Sequence, residues 1–239
     1  MPTQVLSSTL KTLDVLAALA ETEKGATAAE LARTLGRPRN YVHRQLITLC
    51  AGRWAEQGAD GVFRLGLRVV PLSRAAMRQA GLGERAAATM EDLAELVNEA
   101  VSLAVLDGEA ARIIHRVEAD RALRADPRAE VRMPISKSAS GQVLTAFADP
   151  GELERLAESG VELPSEHDLA EVRDRGYACS AAGYRDETVA VAVPIYDWSG
   201  RVLAALSVVG PVSRFVPEQA LAPLSRAAEE INESAGGRR

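Results

Sequence analysis

Between Glu30 and Glu56 the chain carries five arginines, Arg33, Arg37, Arg39, Arg44 and Arg53, and no acidic residue. Arginine forks and asparagine amides on one side of a helix are the chemistry of base recognition, Arg toward guanine and Asn toward adenine. Turning about 100° per residue from an inward Val42 puts Asn40 and Arg44 on the opposite side, flanked by Tyr41, His43 and Thr48, with Arg39 at the helix mouth. Arg37, Arg64 and Arg68, together with Arg33, suit phosphates, which position a protein without specifying sequence. Taken singly, each arginine also reads as an ordinary solvated side chain. Tyr41 is equally well read as a residue packing against a wing beyond the helix.

A second stretch with chemical potential is Ser136-Lys137-Ser138-Ala139-Ser140-Gly141, hydroxyls and small residues just ahead of a helix. Amides at a helix start attract anions, and the serine hydroxyls add donors. A carboxylate fits this corner, with apolar walls from Leu123, Val191 and Val209. The plainer reading is a Ser-capped helix.

The elements that must position these residues are legible in the periodicity. Residues 8–20 read as a helix with Leu10, Leu13, Leu16 and Leu19 at every third position and Ser7 or Ser8 as its cap. Thr27-Ala28-Ala29-Glu30 has capping-box spacing, and Gly36 ends the short helix it opens. Pro38 opens the next, whose stripe is Val42, Leu46 and Leu49. Asp60-Gly61 between short runs marks a hairpin. The sequence predicts a helix-turn-helix with a wing over residues 1–68, a linker helix over 69–80, and a sensor-like α+β domain over 81–239. In that domain it predicts helices at 84–98 (Leu93, Leu96 and Val97 inward), 139–148, 150–158, 168–174 and 217–234. Strands are predicted at 101–106, 112–117, 133–135, 177–180, 188–195 and 201–209.

Composition agrees. Residues 1–75 carry ten Lys/Arg against six Asp/Glu and the remainder 18 against 27, so an acidic chain has one basic segment suited to a confined anionic partner. No apolar run reaches the length of a membrane helix, and the N-terminus lacks the pattern of a signal peptide, so a cytoplasmic protein is expected. Cys50 and Cys179 form no C-x-x-C, and Cys179 reads as a small buried hydrophobe. His43, His115 and His167 show no ligand spacing. No metal, cofactor or catalytic residue is expected.

The ordered set of segments resembles the IclR family of bacterial regulators. LGRPRNYVHRQLITL (35–49) is similar to its recognition helix, and GVFRLGLRVVPLSRAAM (61–77) to its wing and linker. Arg116-Val117-Glu118, Leu123-Arg124, MPISKSASGQVLTAF (133–147), RGYACS (175–180) and VAVPIYDWSGRVLAALSVVGP (191–211) are similar to its effector-domain signatures. The resemblance implies an N-terminal winged helix-turn-helix and a C-terminal GAF-like α/β effector-binding domain. It also implies a homodimer or dimer of dimers, a palindromic double-stranded DNA operator, and a small organic or aromatic acid as effector. By position it implies an effector site of Leu123, Ala125, Ala139, Ser140, Ser180, Thr188, Ala190, Ser207 and Val209. Arg39-Asn40-Tyr41 stands where Lys-Ser-Thr is usual, which implies an operator distinct from the family's common ones. The expectation is a ligand-responsive transcriptional regulator, and a repressor. Two other classes remain: a ligand-independent DNA-binding protein whose C-terminal domain only assembles subunits, and a Cys179-dependent enzyme. The second lacks an evident His partner for the thiol.

Overall fold

The computed structural model describes residues 5–118, 132–180 and 188–236. They divide into two compact units, with the boundary between Ala76 and Met77.

The first unit is built on three helices: α1 (Ser7–Ala20), α2 (Ala28–Thr34) and α3 (Arg39–Ala51). Helix α1 buries Val15 and Leu19, one turn apart, and leaves Leu10 and Leu13 half exposed. The stripe of every-third leucines therefore winds out to solvent, because the inward side of a helix repeats at three and four residues together. Leu6, not Ser7 or Ser8, sits at the cap position of α1, with no side-chain cap bond. Helix α2 starts at the capping box expected from the sequence. Thr27 N–H donates to Glu30 Oε2 at 2.8 Å and Glu30 N–H to Thr27 Oγ1 at 3.3 Å. The turn passes through Gly36 at φ +58° into α3, with Pro38 as its N-cap. Strands β1 (Ala55–Gln57) and β2 (Phe63–Leu65) form the antiparallel wing. Its turn contains Asp60-Gly61, Gly61 at φ +76°. The wing is tied down where Ala26 and Phe63 exchange both backbone hydrogen bonds. Gly25 makes that approach possible: a Cβ there would lie 2.3 Å from the Phe63 carbonyl oxygen. The core of this unit gathers Leu31, Val42, Leu46, Leu49 and Phe63 under α1. Helix α4 (Val69–Gln79) crosses the boundary between the units and buries none of its residues.

The second unit is a six-stranded sheet. Its strands are β3 (Ala100–Asp107), β4 (Ala110–Val117), β5 (Arg132–Pro134), β6 (Ala178–Ser180), β7 (Thr188–Tyr196) and β8 (Val202–Pro211). They lie in the order β5-β4-β3-β8-β7-β6, every neighbour antiparallel. Alternation divides the side chains between two faces. Val101, Leu103, Val191, Val193, Leu206 and Val208 pack against α5 (Glu84–Val97) and α9 (Pro217–Ala235). Ala111, Ala178, Ala192 and Ala205 pack on the other face against α6 (Ala139–Ala146) and α8 (Glu166–Arg175); α7 (Pro150–Ser159) lies between these two helices in sequence. Two expectations change. Leu96 is 70% exposed, because the inward face of α5 runs through Ala86, Met90, Leu93 and Ala94. Helix α8 begins at Glu166 rather than 168, because Ser165 and Asp168 form a second capping box.

Candidate functional site

Two surfaces carry the residues singled out in the sequence. The first is the outer side of α3. With Val42, Leu46 and Leu49 buried, Arg39, Asn40, His43, Arg44 and Thr48 are exposed, and Arg37 is exposed in the turn before them. Thr12 Oγ1 donates to Gln45 Oε1 at 2.6 Å, which pins α3 to α1. The helix carries no acidic residue. Among the described residues, the guanidinium groups of Arg37, Arg39 and Arg44 have no ion pair or hydrogen bond. Free arginines beside an asparagine, on a helix held from behind, form a positively charged surface with donors directed outward.

Other members of the expected set have duties inside the fold. Tyr41 packs on the core with its hydroxyl buried. The His43 ring stands edge-on to Phe63 of the wing, centroids 6.1 Å apart. Thr48 Oγ1 donates to the Arg44 carbonyl at 3.0 Å. Arg64 is clamped by Asp60, Nη2 to Oδ2 at 2.7 Å. That guanidinium, with the Val62 N–H, lowers the Asp60 carboxyl to a pKa of about 2. Arg68 donates Nη1 to the Gly52 carbonyl at 2.8 Å and lies over the Trp54 ring, 4.7 Å from its centroid. Ile47, 46% exposed one turn from Arg44, joins the outward surface and was missed. Its signal was an apolar residue out of phase with the Val42 stripe, a type that meets the thymine methyl in the major groove.

The second surface is the α6 face of the large sheet. Cross-strand partners share a face, and the ladder pairs Ser180 with Ala190, Ala190 with Val209 and Ser207 with Ala192. Thr188 obeys the same alternation. The register thus brings Ser180, Thr188, Ala190, Ser207 and Val209 to one face, the one that α6 covers with buried Ala139. Ser140 is buried beside it. Leu123 and Ala125 lie outside the described residues. Val191 is not a wall of this face. It falls between Ala190 and Ala192 and so points to the α5/α9 side. Ser138 is the N-cap of α6, accepting from Gly141 N–H at 3.1 Å and donating to the Pro134 carbonyl at 2.7 Å, so its hydroxyl is committed. Gly141 lets α6 meet the preceding loop: a Cβ there would lie 2.5 Å from Ile135 Cα.

Sequence reading missed two residues of this face. Ser102 pairs with Ser207 on one side and with Arg116 on the other, giving a row Arg116–Ser102–Ser207–Ala192–Ala178 across the sheet. The sequence marks Arg116 only as part of the Arg116-Val117-Glu118 signature and Ser102 only as a serine within a predicted strand. Cys179 points to the opposite face, and burial pushes its thiol pKa up, away from reactive thiolate. Among the described residues no group of three His, Cys, Asp or Glu is placed to hold a metal. No described helix is long and apolar enough to cross a membrane.

Comparison with known proteins covers both units. The family model described as the IclR helix-turn-helix domain matches residues 8–59, and the one described as bacterial transcriptional regulator IclR C-terminal matches residues 74–233. The chain is 30% identical to the HTH-type transcriptional regulator KdgR of Escherichia coli (strain K12), over 97% of this chain and 93% of that protein. It is 31% identical to the HTH-type transcriptional regulator BhcR of Paracoccus denitrificans (strain Pd 1222), over 85% of this chain and 77% of that one. An IclR transcriptional regulator from Alicyclobacillus acidocaldarius superposes with a TM-score of 0.82 at 23% identity, covering 98% of this chain and all of that one. An IclR homologue from Microbacterium hydrocarbonoxydans, solved in complex with 4-hydroxybenzoate, superposes with a TM-score of 0.75 at 27% identity, covering 94% of this chain and 98% of that one. With its free-arginine recognition helix and its helix-covered sheet, the chain belongs to the IclR family and is a ligand-responsive, DNA-binding transcriptional regulator rather than an enzyme.

Proposed function

We propose that this protein is a cytoplasmic repressor that binds a palindromic operator as a symmetric homodimer or dimer of dimers and answers to a small organic or aromatic acid. In this reading residues 1–68 grip DNA, residues 81–239 sense the effector, and the helix at 69–80 links them. Arg39, Asn40 and Arg44 read bases, with Ile47 and Thr48 beside them. Arg37 takes phosphate, and His43, Arg64 and Arg68 border the contact. Tyr41 supports the helix from within. The effector rests on the face of Ala139, Ser140, Ser180, Thr188, Ala190, Ser207 and Val209; the family resemblance adds Leu123 and Ala125.

The observation that carries the reading is the acid-free outer side of α3, where three arginines have no partner inside the fold. Two others support its parts. Leu6, Leu10 and Leu13, spaced by four and three, are 71%, 50% and 51% exposed, an apolar stripe suited to a second copy of the chain. Two-fold assembly implies a two-fold operator. The relative bound to 4-hydroxybenzoate supports an acid. The effector would act by favouring one spacing of paired DNA-binding units.

The test is fluorescence anisotropy of the full chain on duplex fragments from upstream of its own gene at low salt, with sedimentation run in parallel. Saturable, sequence-preferring binding by an even-numbered oligomer is expected. A protein that holds no such fragment, or only a monomer on DNA, overturns the reading.

A further inference from the structure

We propose that Arg116, helped by Ser102, is the carboxylate anchor of the effector site. This deepens the preceding reading and rests on it. Arg116 lies in β4 and shares a face and a row with Ser102 and Ser207. Its Nε donates to Glu118 Oε1, which leaves the Nη end of the fork. Nη2 is buried and has no hydrogen-bond partner, and so is Ser102 Oγ. Buried donors without partners are scarce in folded proteins because they lose water and gain nothing. Here two occur in directly paired positions of adjacent strands, on the face that carries the expected effector residues. One of them is a guanidinium, whose end-on fork matches a carboxylate.

The described residues around the pair are mostly small and carry no competing anion other than Glu118. The cross-strand neighbours along and beside the row are Ser207, Ala192, Ala100 and Ala190, with the larger Val209 next to them. Glu118 balances the arginine's charge while the site is empty and holds its Nε edge, so that Nη2 faces a ligand without rearrangement. A ligand carboxylate receiving Nη2–H and the Ser102 hydroxyl satisfies both orphan groups. A neutral amide presents one acceptor oxygen in place of two and brings donors toward donors. The site therefore selects acids over their amides.

The experiment measures thermal stability and calorimetric affinity of the full chain. Its probes are acetate, pyruvate, gluconate, benzoate and 4-hydroxybenzoate, each set against its neutral amide. A ligand that binds the folded form raises the melting temperature. At least one acid should do so while its amide does not. Arg116→Met should weaken that acid by about 10- to 100-fold, the worth of a charged hydrogen bond. Ser102→Ala should weaken it less. If Arg116→Met does not fold, Arg116→Lys decides, since it keeps the charge but removes the fork and should still weaken that acid by about 10-fold. An acid that stabilises the Arg116 variants as well as the parent overturns this assignment and leaves the sensor reading standing. So does an amide that matches its acid in the parent. If no acid in the set has any effect, the acid-sensor reading fails, and the anchor with it.

Discussion

Replacing Arg44 with alanine separates recognition from stability, because the structure gives this side chain nothing to do within the fold. It is exposed on α3, and its guanidinium has no partner among the described residues. Surface substitutions of that kind change stability by about 0.5 kcal/mol or less. On DNA, a bidentate arginine–guanine pair discriminates by about 1–3 kcal/mol. A symmetric dimer makes the contact twice, so the loss on the cognate site is about 2–6 kcal/mol, or roughly 30-fold to 20,000-fold. Arg37→Ala should behave differently. As a phosphate contact it weakens all sequences alike, and because each neutralised phosphate contributes about 0.9 to the log–log salt slope, losing two per dimer flattens that slope by about 2. Anisotropy titrations over a range of about 50 to 200 mM salt, on cognate and scrambled duplexes, measure both quantities. Arg44→Ala binding the cognate site as tightly as the parent at fixed salt, or losing cognate and scrambled binding in equal proportion, would refute the assignment of Arg44 to base readout.

Two further outcomes are expected from the geometry. Folding lowers the Asp60 pKa, so the wing's charge pair contributes stability at pH values above the ordinary carboxylate range, and the contribution is lost as pH falls through about 2. A carboxyl-detected NMR titration should place the Asp60 midpoint at about 2, and Arg64→Ala should return it toward 3.8; a midpoint already at 3.8 in the parent would show that the clamp does not form in solution. Gly141→Ala should destabilise the second unit by about 1–3 kcal/mol although alanine is the better helix former, because its Cβ would meet backbone atoms of Ile135 at 2.5 and 2.7 Å. Urea unfolding measures it, and a variant as stable as the parent would mean that α6 can move away at no cost.

The DNA-facing half was legible because its signals are local. The Thr27–Glu30 box, the turn at Gly36, the Val42–Leu46–Leu49 stripe and Asp60-Gly61 each act over a handful of residues, and each is present in the structure. What escaped depended on partners distant in sequence or on alternation across the sheet. Arg68 is occupied by Trp54 and Gly52 through the fold of the wing base, which no spacing rule announces. Val191 reads as a pocket wall because it is apolar and near Ala190, yet a one-residue step in a strand reverses the face. Ser102 and Ser207 meet although 105 residues apart, because β8 inserts beside β3. The pairing of Ser102 with Arg116 is set by the β3–β4 register, which no local pattern encodes. Ser138 and Ser140 are interchangeable in the sequence. The structure gives the first to the helix cap and buries the second.

Helix α4 has one more consequence. It is 11 residues long and buries none of them. A peptide of that length is marginally helical in water, since too few hydrogen bonds offset the cost of nucleation. In the proposed linker role such a helix would have to resist bending, and within the chain only Met77 near its end packs on a core. In the proposed dimer a second copy lying along it would lend that stiffness, so dilution should disconnect hearing from speaking well before either half of the protein melts.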